Sequence, residues 1–392
     1  TRKSDRNPAT PAPTAKQVRE GGAGGRPYVV AVDVPSGVDC DTGEVEANTI
    51  PADVTVTFGA PKLGQYKFPA ADAIGELIVA PIGWPDTLPT LKTINLELAD
   101  ASRVKASLPK RAHDSHKYDY GRLLVVAGSQ NYVGAAHLVG AASIRSGAGL
   151  VTMAVPQSIQ PILAGGLVEA TWLPLPELGG FIAESAVENV LPLFAKSSAV
   201  VIGPGWGTED TVRRFLHGIL NATMLGSIDI RLLVDADGLR LLAQIDTWPD
   251  LLPKPAVLTP HPGEMSALTG LSKEAIQSDR LGVAKKFSAQ WGHVVLLKGA
   301  FTVVAAPDGR CVIEPFATPA LAKAGSGDVL SGIIGSLLAQ GMAPFEAAAT
   351  GAFIHGRAGE VAAKEIGTTV SVTAGDFVGT LPEVFRELEI GD

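Results

Sequence analysis

The sequence predicts an α/β fold: a mainly parallel central sheet with helices on both faces, preceded by a smaller, partial α/β domain. Three observations carry that prediction. Short apolar runs recur with helical stretches between them, the pattern of strand–helix–strand units that cover both faces of a parallel sheet. Almost every run stops at a Gly, Asp, His or Lys, and residues beyond the carboxyl ends of such strands form ligand sites. The length of 392 residues, with 46% hydrophobic and 18% charged positions, suits two domains.

Residues 1–26 mix Pro, Thr, Ala, Gly and basic side chains with little apolar period and end in Gly21-Gly22-Ala23-Gly24-Gly25, which reads as a disordered arm. From Tyr28 the run Tyr-Val-Val-Ala-Val-Asp reads as a buried strand, followed by the turn Pro35-Ser36-Gly37 and by strands around 54–58 and 77–80. Pro85, Pro89 and Pro109 punctuate a stretch without period that suits a linker, so the small domain with its linker spans 27–100. The main domain, 101–392, has strands expected at 123–127, 151–155, 199–202, 232–234, 256–258, 294–297 and 302–305. No repeat of 20 to 50 residues interrupts this order.

Composition excludes several classes. Thirty-two basic against forty acidic side chains give a net charge of −8, which disfavours a nucleic-acid surface while leaving room for a local nucleotide pocket. Cys40 and Cys311 are too few for a disulfide framework or a cysteine metal site. The least charged long window, Val329 to Phe345, carries Ser, Gln and Gly and reads as a buried helix rather than a membrane span. A cytoplasmic protein without membrane contact is expected. The chain opens on Thr1 with no leader pattern, which reads as a fragment or a trimmed product.

The strongest local motif is Ala324-Gly-Ser-Gly-Asp-Val-Leu-Ser-Gly332, a glycine-rich turn that opens an apolar helix. Glycines let backbone amides approach an anion, and a helix N-terminus adds unpaired N–H groups and a favourable dipole, so Gly325, Ser326 and Gly327 suit phosphate. Asp328 beside a phosphoryl group would repel it unless it accepts the proton of an attacking hydroxyl; the plainer alternative is an ordinary first-turn acid. No Gly-Lys-Ser/Thr, protein-kinase signature or Gly-x-Ser-x-Gly elbow is present. Gly203-Pro-Gly-Trp-Gly207 either admits a ligand to the backbone or makes a tight turn. Lys298 ends a strand, either near phosphate or solvated. His261 lies between two prolines, structural or functional, and Asp235 and Asp237 face one way if their strand continues, or cap a helix. His113 and His116 have metal-like spacing but no evident third ligand.

Residues 101–392 resemble the ADP-dependent NAD(P)H-hydrate dehydratases of the ribokinase-like superfamily. The resemblance rests on ordered motifs, among them Asp114 to Arg122, Gly128-Ser-Gln-Asn-Tyr-Val-Gly-Ala135, Arg145-Ser-Gly-Ala-Gly-Leu150, Gly203 to Gly207, Asp235-Ala-Asp237, Thr259-Pro-His-Pro-Gly-Glu264, Leu297-Lys-Gly-Ala300, Gly325-Ser-Gly-Asp328 and His355-Gly-Arg-Ala-Gly359. It implies that Ala135, Gly205, Gly207, His261 and Asp328 hold the hydrated nicotinamide cofactor, and that Lys298, Gly299, Ala300, Phe301, Thr302 and Gly327 meet the adenine nucleotide. It also implies ADP as phosphoryl donor, Mg2+ as its companion and a homo-oligomer. Residues 27–86 resemble the end of the NAD(P)H-hydrate epimerase domain through Val29 to Asp39, Thr42-Gly43, Ala52 to Phe58 and Pro61-Lys-Leu-Gly64. On that resemblance Asp33 contacts the hydrate and Ser36 a potassium ion (K+). The epimerase family's earlier phosphate loop has no counterpart in 1–26, so little or no epimerase activity is expected. Two rival readings stand beside these: an ordinary ribokinase-like vitamin or sugar kinase, and a non-catalytic N-terminal binding module.

Overall fold

The structure, a computed structural model, describes residues 27–85, 88–225 and 230–390. It divides into two compact units, the first reaching Ile94 and the second starting at Asn95. The expected arm, 1–26, lies outside the described residues.

The first unit holds a three-stranded parallel sheet of β1 (Val30–Val32), β2 (Val54–Phe58) and β3 (Glu76–Ala80), with β2 in the middle. Its inner face is polar: Thr55 and Thr57 are fully buried, and the Thr55 hydroxyl donates to the Ile74 carbonyl at 2.6 Å. The run at Tyr28 is not the buried strand its apolar residues suggest. Only three residues pair, β1 is an edge, and Val30 and Val32 are 54% and 69% exposed. An unbroken apolar run has no period that tells one covered face from two.

The second unit carries ten strands in the order β4-β15-β14-β13-β12-β11-β10-β5-β6-β7. They are β4 (Leu96–Leu98), β5 (Arg122–Val126), β6 (Leu150–Pro156), β7 (Thr171–Leu175), β10 (Ala199–Ile202), β11 (Arg231–Val234), β12 (Val257–Leu258), β13 (Val294–Leu297), β14 (Val303–Ala305) and β15 (Cys311–Ile313). A separate two-stranded ribbon pairs β8 (Glu177–Leu178) with β9 (Phe181–Ile182). Every neighbouring pair in the large sheet is parallel except those made by β14. The reason is length: a parallel crossover needs about a dozen residues, and the short stretch between Leu297 and Val303 permits only reversal. The stretch expected to be linker supplies edge strand β4 and the helix Ala101–Ser107, which Asp100 caps by accepting the Arg103 N–H at 2.7 Å. The Leu96-Glu97-Leu98 sequence of β4 holds no continuous apolar run of the kind that marks the other strands.

The strand order reverses between β5 and β10, which opens a crevice beyond their carboxyl ends. There the Gly128 N–H donates to the Pro204 carbonyl at 2.8 Å, and buried Trp206 donates from Nε1 to the Val126 carbonyl at 2.9 Å. The helix Ser326–Ala339 lies over this region with most of its residues buried. Gly332 lets it approach the helix Val133–Arg145, because a Cβ there would come within 2.5 Å of the Val139 carbonyl oxygen. Among the described residues no helix is long and apolar enough to cross a membrane.

Gly332→Ala tests this packing. Alanine gains about 1 kcal/mol of helix propensity over glycine, but overpacking against a backbone oxygen costs about 1–3 kcal/mol. The urea midpoint is therefore expected to fall; a rise would show that the two helices can separate freely.

Candidate active site

The end of β11 sets the site. Asp235 is 1% exposed; its Oδ1 accepts from Lys298 Nζ at 2.7 Å and its Oδ2 from Ser331 Oγ at 2.6 Å. One carboxylate thus joins the ends of β11 and β13 to the helix Ser326–Ala339. A charge this deep persists only when paired. Burial opposes its ionisation, but the Lys298 charge and the hydrogen bonds from Lys298, Ser331 and Thr259 outweigh that and hold the carboxyl below its ordinary value. Burial likewise disfavours the Lys298 ammonium, yet Asp235 and Glu264, the latter at 3.7 Å, raise its pKa. Lys298 is not the solvated strand-end lysine of the plainer reading.

The strand does not continue through 237. Ala236 takes a left-handed φ of 52°, a conformation non-glycine residues rarely hold outside functional sites, and Asp237 opens the helix Asp237–Leu242 instead. Asp237 does not face the same way as Asp235 along a strand, nor does it occupy the cap position. Its Oδ2 accepts from the Gly207 N–H at 2.9 Å, which couples the Gly203–Gly207 turn to the centre of the site.

Gly325, at φ 86°, turns the chain into the helix Ser326–Ala339. The Ser326 N–H donates to the Lys323 carbonyl at 3.2 Å and the Val329 N–H to the Gly325 carbonyl at 3.2 Å. Among the described residues no protein acceptor meets the N–H groups of Gly325, Gly327 or Asp328. Of the amides at this turn, that of Ser326 is thus engaged while those of Gly325, Gly327 and Asp328 are open. The Lys298 ammonium lies just below them, 3.3 Å from where a Cβ on Gly327 would stand. Asp328 itself is pushed up to about 7, first by burial and then by the charge of Asp235; Asp237 and Glu264 add to this while Lys298 opposes it.

These groups border one cavity of about 670 Å³, lined by His261, Lys298, Gly299, Ala300, Thr302, Gly325, Ser326, Gly327 and Asp328. Phe301, with a left-handed φ of 54°, is not in that lining; its N–H donates to the Phe316 carbonyl at 2.7 Å. Ala135, Gly205 and Gly207 are not in it either. They gather at the neighbouring glycine-rich turn, where a Cβ on Gly205 would come 2.7 Å from that of Ala135. His261 does structural work: its Nδ1 accepts the Gly263 and Glu264 N–H groups at 2.9 and 3.1 Å, capping the helix Pro262–Thr269. That leaves the ring's proton on Nε2, which lies 3.3 Å from Glu264 Oε1. Burial lowers the His261 pKa, with the Glu264 charge acting against it, so the ring is neutral. His116 does not draw a metal site together; it caps a 3₁₀ turn with Asp119.

In the first unit Asp33, at a left-handed φ of 67°, accepts at Oδ1 from Lys62 Nζ at 2.8 Å, Thr57 Oγ1 at 2.9 Å and the Phe58 N–H at 3.0 Å. The Lys62 hydrogen bond, then those from Phe58 and Thr57, bring the carboxyl down to about 2. Lys62 Nζ also meets the Phe58 and Ala60 carbonyls, so this oxygen cluster already holds an ammonium. Ser36 is exposed in the turn after β1. Neither the Lys62–Asp33 contact nor the Lys298–Asp235 pair has a local signal in the sequence, the partners lying 29 and 63 positions apart.

Residues 123–382 match the family model of NAD(P)H-hydrate dehydratase, about two thirds of the chain, and residues 7–64 match the model of the YjeF-related protein N-terminus. The chain belongs to the NAD(P)H-hydrate dehydratase family. The dehydratase is 43% identical over 361 residues to the bifunctional NAD(P)H-hydrate repair enzyme of Moorella thermoacetica, covering 92% of this chain and 67% of that protein. It is 37% identical to the one from Escherichia coli, covering 91% and 65%. The ADP/ATP-dependent NAD(P)H-hydrate dehydratase of Bacillus subtilis, crystallised with ATP/Mg2+, superposes with a TM-score of 0.64 at 30% identity over 76% of this chain and all of that one. A ribokinase-like protein of Enterococcus faecalis, at 24% identity and TM-score 0.65, shares the fold. The second match begins at residue 7, so the dehydratase's expected arm contains family sequence.

Removing Lys298 tests the buried pair. Lys298→Met leaves Asp235 uncompensated and is expected to destabilise the dehydratase by about 3–5 kcal/mol in urea unfolding. Adding Asp235→Asn should recover part of that loss; strictly additive losses would contradict the pairing.

Proposed function

We propose that the dehydratase transfers the β-phosphoryl group of ADP to the ring hydroxyl of the S-form of hydrated NADH or NADPH. Asp328 accepts the hydroxyl proton as the new O–P bond forms, and the bond from the β-phosphorus to the bridging oxygen breaks to leave AMP. The ring nitrogen's lone pair then expels phosphate with its carbon–oxygen bond, and loss of a ring proton restores the dihydronicotinamide. The observation that carries this reading is an acid near pKa 7, inside a helix N-terminus with open amides and above a buried ammonium. A base is most effective when its pKa lies near the working pH, and preformed donors stabilise charge that develops on the phosphoryl oxygens.

The Gly327 and Asp328 amides and Lys298 would meet the transferring group, Gly299 to Thr302 with Gly325 and Ser326 the rest of the nucleotide, and His261 with Ala135, Gly205 and Gly207 the hydrate. Magnesium fits as a companion of the nucleotide. It is commonly held by one or two carboxylates plus phosphates, and Glu264 faces the cavity, while among the described residues no three metal-ligating side chains converge. Bound there, it would neutralise phosphate charge. A homo-oligomer in the cytoplasm completes the proposal; Cys40 and Cys311 are free thiols, as a reducing compartment maintains.

The test supplies S-hydrate, magnesium and ADP and follows reduced-nicotinamide absorbance together with AMP and phosphate. Recovery with one AMP and one phosphate per turnover is expected, and Asp328→Asn should lower kcat by at least about a hundredfold. A stable phosphoester without recovered absorbance would favour the ordinary-kinase reading.

A further inference from the structure

The His355-Gly356-Arg357-Ala358-Gly359 motif has no part in the chemistry above, yet His355 lines the same cavity. It sits in the helix Pro344–Ile366 and is 7% exposed, with its ring edge-on to Phe377 at 5.7 Å. Its Nε2 lies 3.0 Å from the hydroxyl of Ser326, the first residue of the anion-facing helix. Next to it, Gly356 brings the helix against the cavity wall, because a Cβ there would come within 2.1 Å of the Phe316 ring. This one turn thus touches both the glycine-rich loop and the wall across from it.

A buried polar pair is disfavoured against an apolar one unless each group is satisfied. Burial pushes His355 down to about 4, with the Lys298 charge a lesser cause, so the imidazole is neutral and makes this contact as a dipole. A neutral ring beside Ser326 fixes the hydroxyl's rotation whichever partner donates, without placing a second cation by the phosphoryl site. Ser326 directly precedes Gly327 and Asp328, whose N–H groups meet no protein acceptor among the described residues, so anchoring the Ser326 side chain restrains the turn that carries those donors.

We propose that His355 is a positioning residue of the dehydratase, holding the Ser326 hydroxyl so that the Gly327 and Asp328 amides are aimed at the transferring phosphoryl group before it arrives. The inference rests on the function proposed above. Misaimed donors act on the transition state and lower kcat, whereas affinity for the hydrate, held elsewhere, is little changed.

The test is a double-mutant cycle on the full chain, with kcat and KM for the hydrate measured alongside thermal melting. Ser326→Ala and His355→Ala are each expected to lower kcat about tenfold at unchanged KM, and the double variant should fall no further than either single one. His355→Gln, which keeps a donor and an acceptor, should regain most of the rate. Losses that multiply to about a hundredfold, or a folded Gln variant that regains nothing, would overturn the proposal. Wild-type turnover in the same assay tests the dehydratase reading itself, so a failed cycle beside an active wild type counts against the pairing alone.

Discussion

A carboxylate buried at the end of a central strand has to find a cation, and at Asp235 that requirement organises the site. Its partner, Lys298, comes from the end of another strand and its second donor, Ser331, from the helix that presents the glycine-rich loop. The pair adds little net stability, since a buried ion pair roughly breaks even against an apolar replacement. What it provides is a fixed negative charge and a fixed positive charge next to Asp328. Burial is the larger cause of the rise of Asp328 from 3.8 to about 7; the Asp235 charge adds to it and the Lys298 charge takes part of it back.

The sheet explains why these groups meet. Parallel strands deliver their carboxyl ends to one edge, and the reversal between β5 and β10 opens a crevice there. The Gly203–Gly207 turn follows β10, Asp235 follows β11, His261 follows β12 and Lys298 follows β13. The reversed strand β14 turns the backbone back at Gly299 to Thr302, so the same short connection that prevents a crossover places this segment at the cavity. Backbone strain collects there too: Ala236 and Phe301 both hold left-handed φ values.

Much of this is legible in the sequence because it is local. The runs at 199–202 and 294–297 coincide with β10 and β13, since β-branched residues in an unbroken apolar stretch suit a strand buried on both faces. The loop at Gly325–Asp328 is legible because glycines ahead of an apolar helix have few other uses. What is not legible is long-range. Lys298 and Asp235 are 63 positions apart, and Ser331 and Asp235 are 96 apart, so no window shows the pairing. Strand β4 escapes because Glu97 interrupts its two leucines and leaves no continuous apolar run, and β1 misleads because apolar residues do not reveal what covers them. His261 is half-legible: its flanking prolines mark a turn, but only the folded chain shows its Nδ1 capping the helix while Nε2 meets the Glu264 carboxylate.

That burial and the neighbouring Asp235 charge together make Asp328 a base near neutral pH can be checked by titrating its carboxyl carbon by NMR in the intact dehydratase. The expected midpoint is near 7, falling in Asp235→Asn as the neighbouring negative charge is removed. A midpoint at the ordinary carboxylate value of 3.8, unmoved by that substitution, would contradict it.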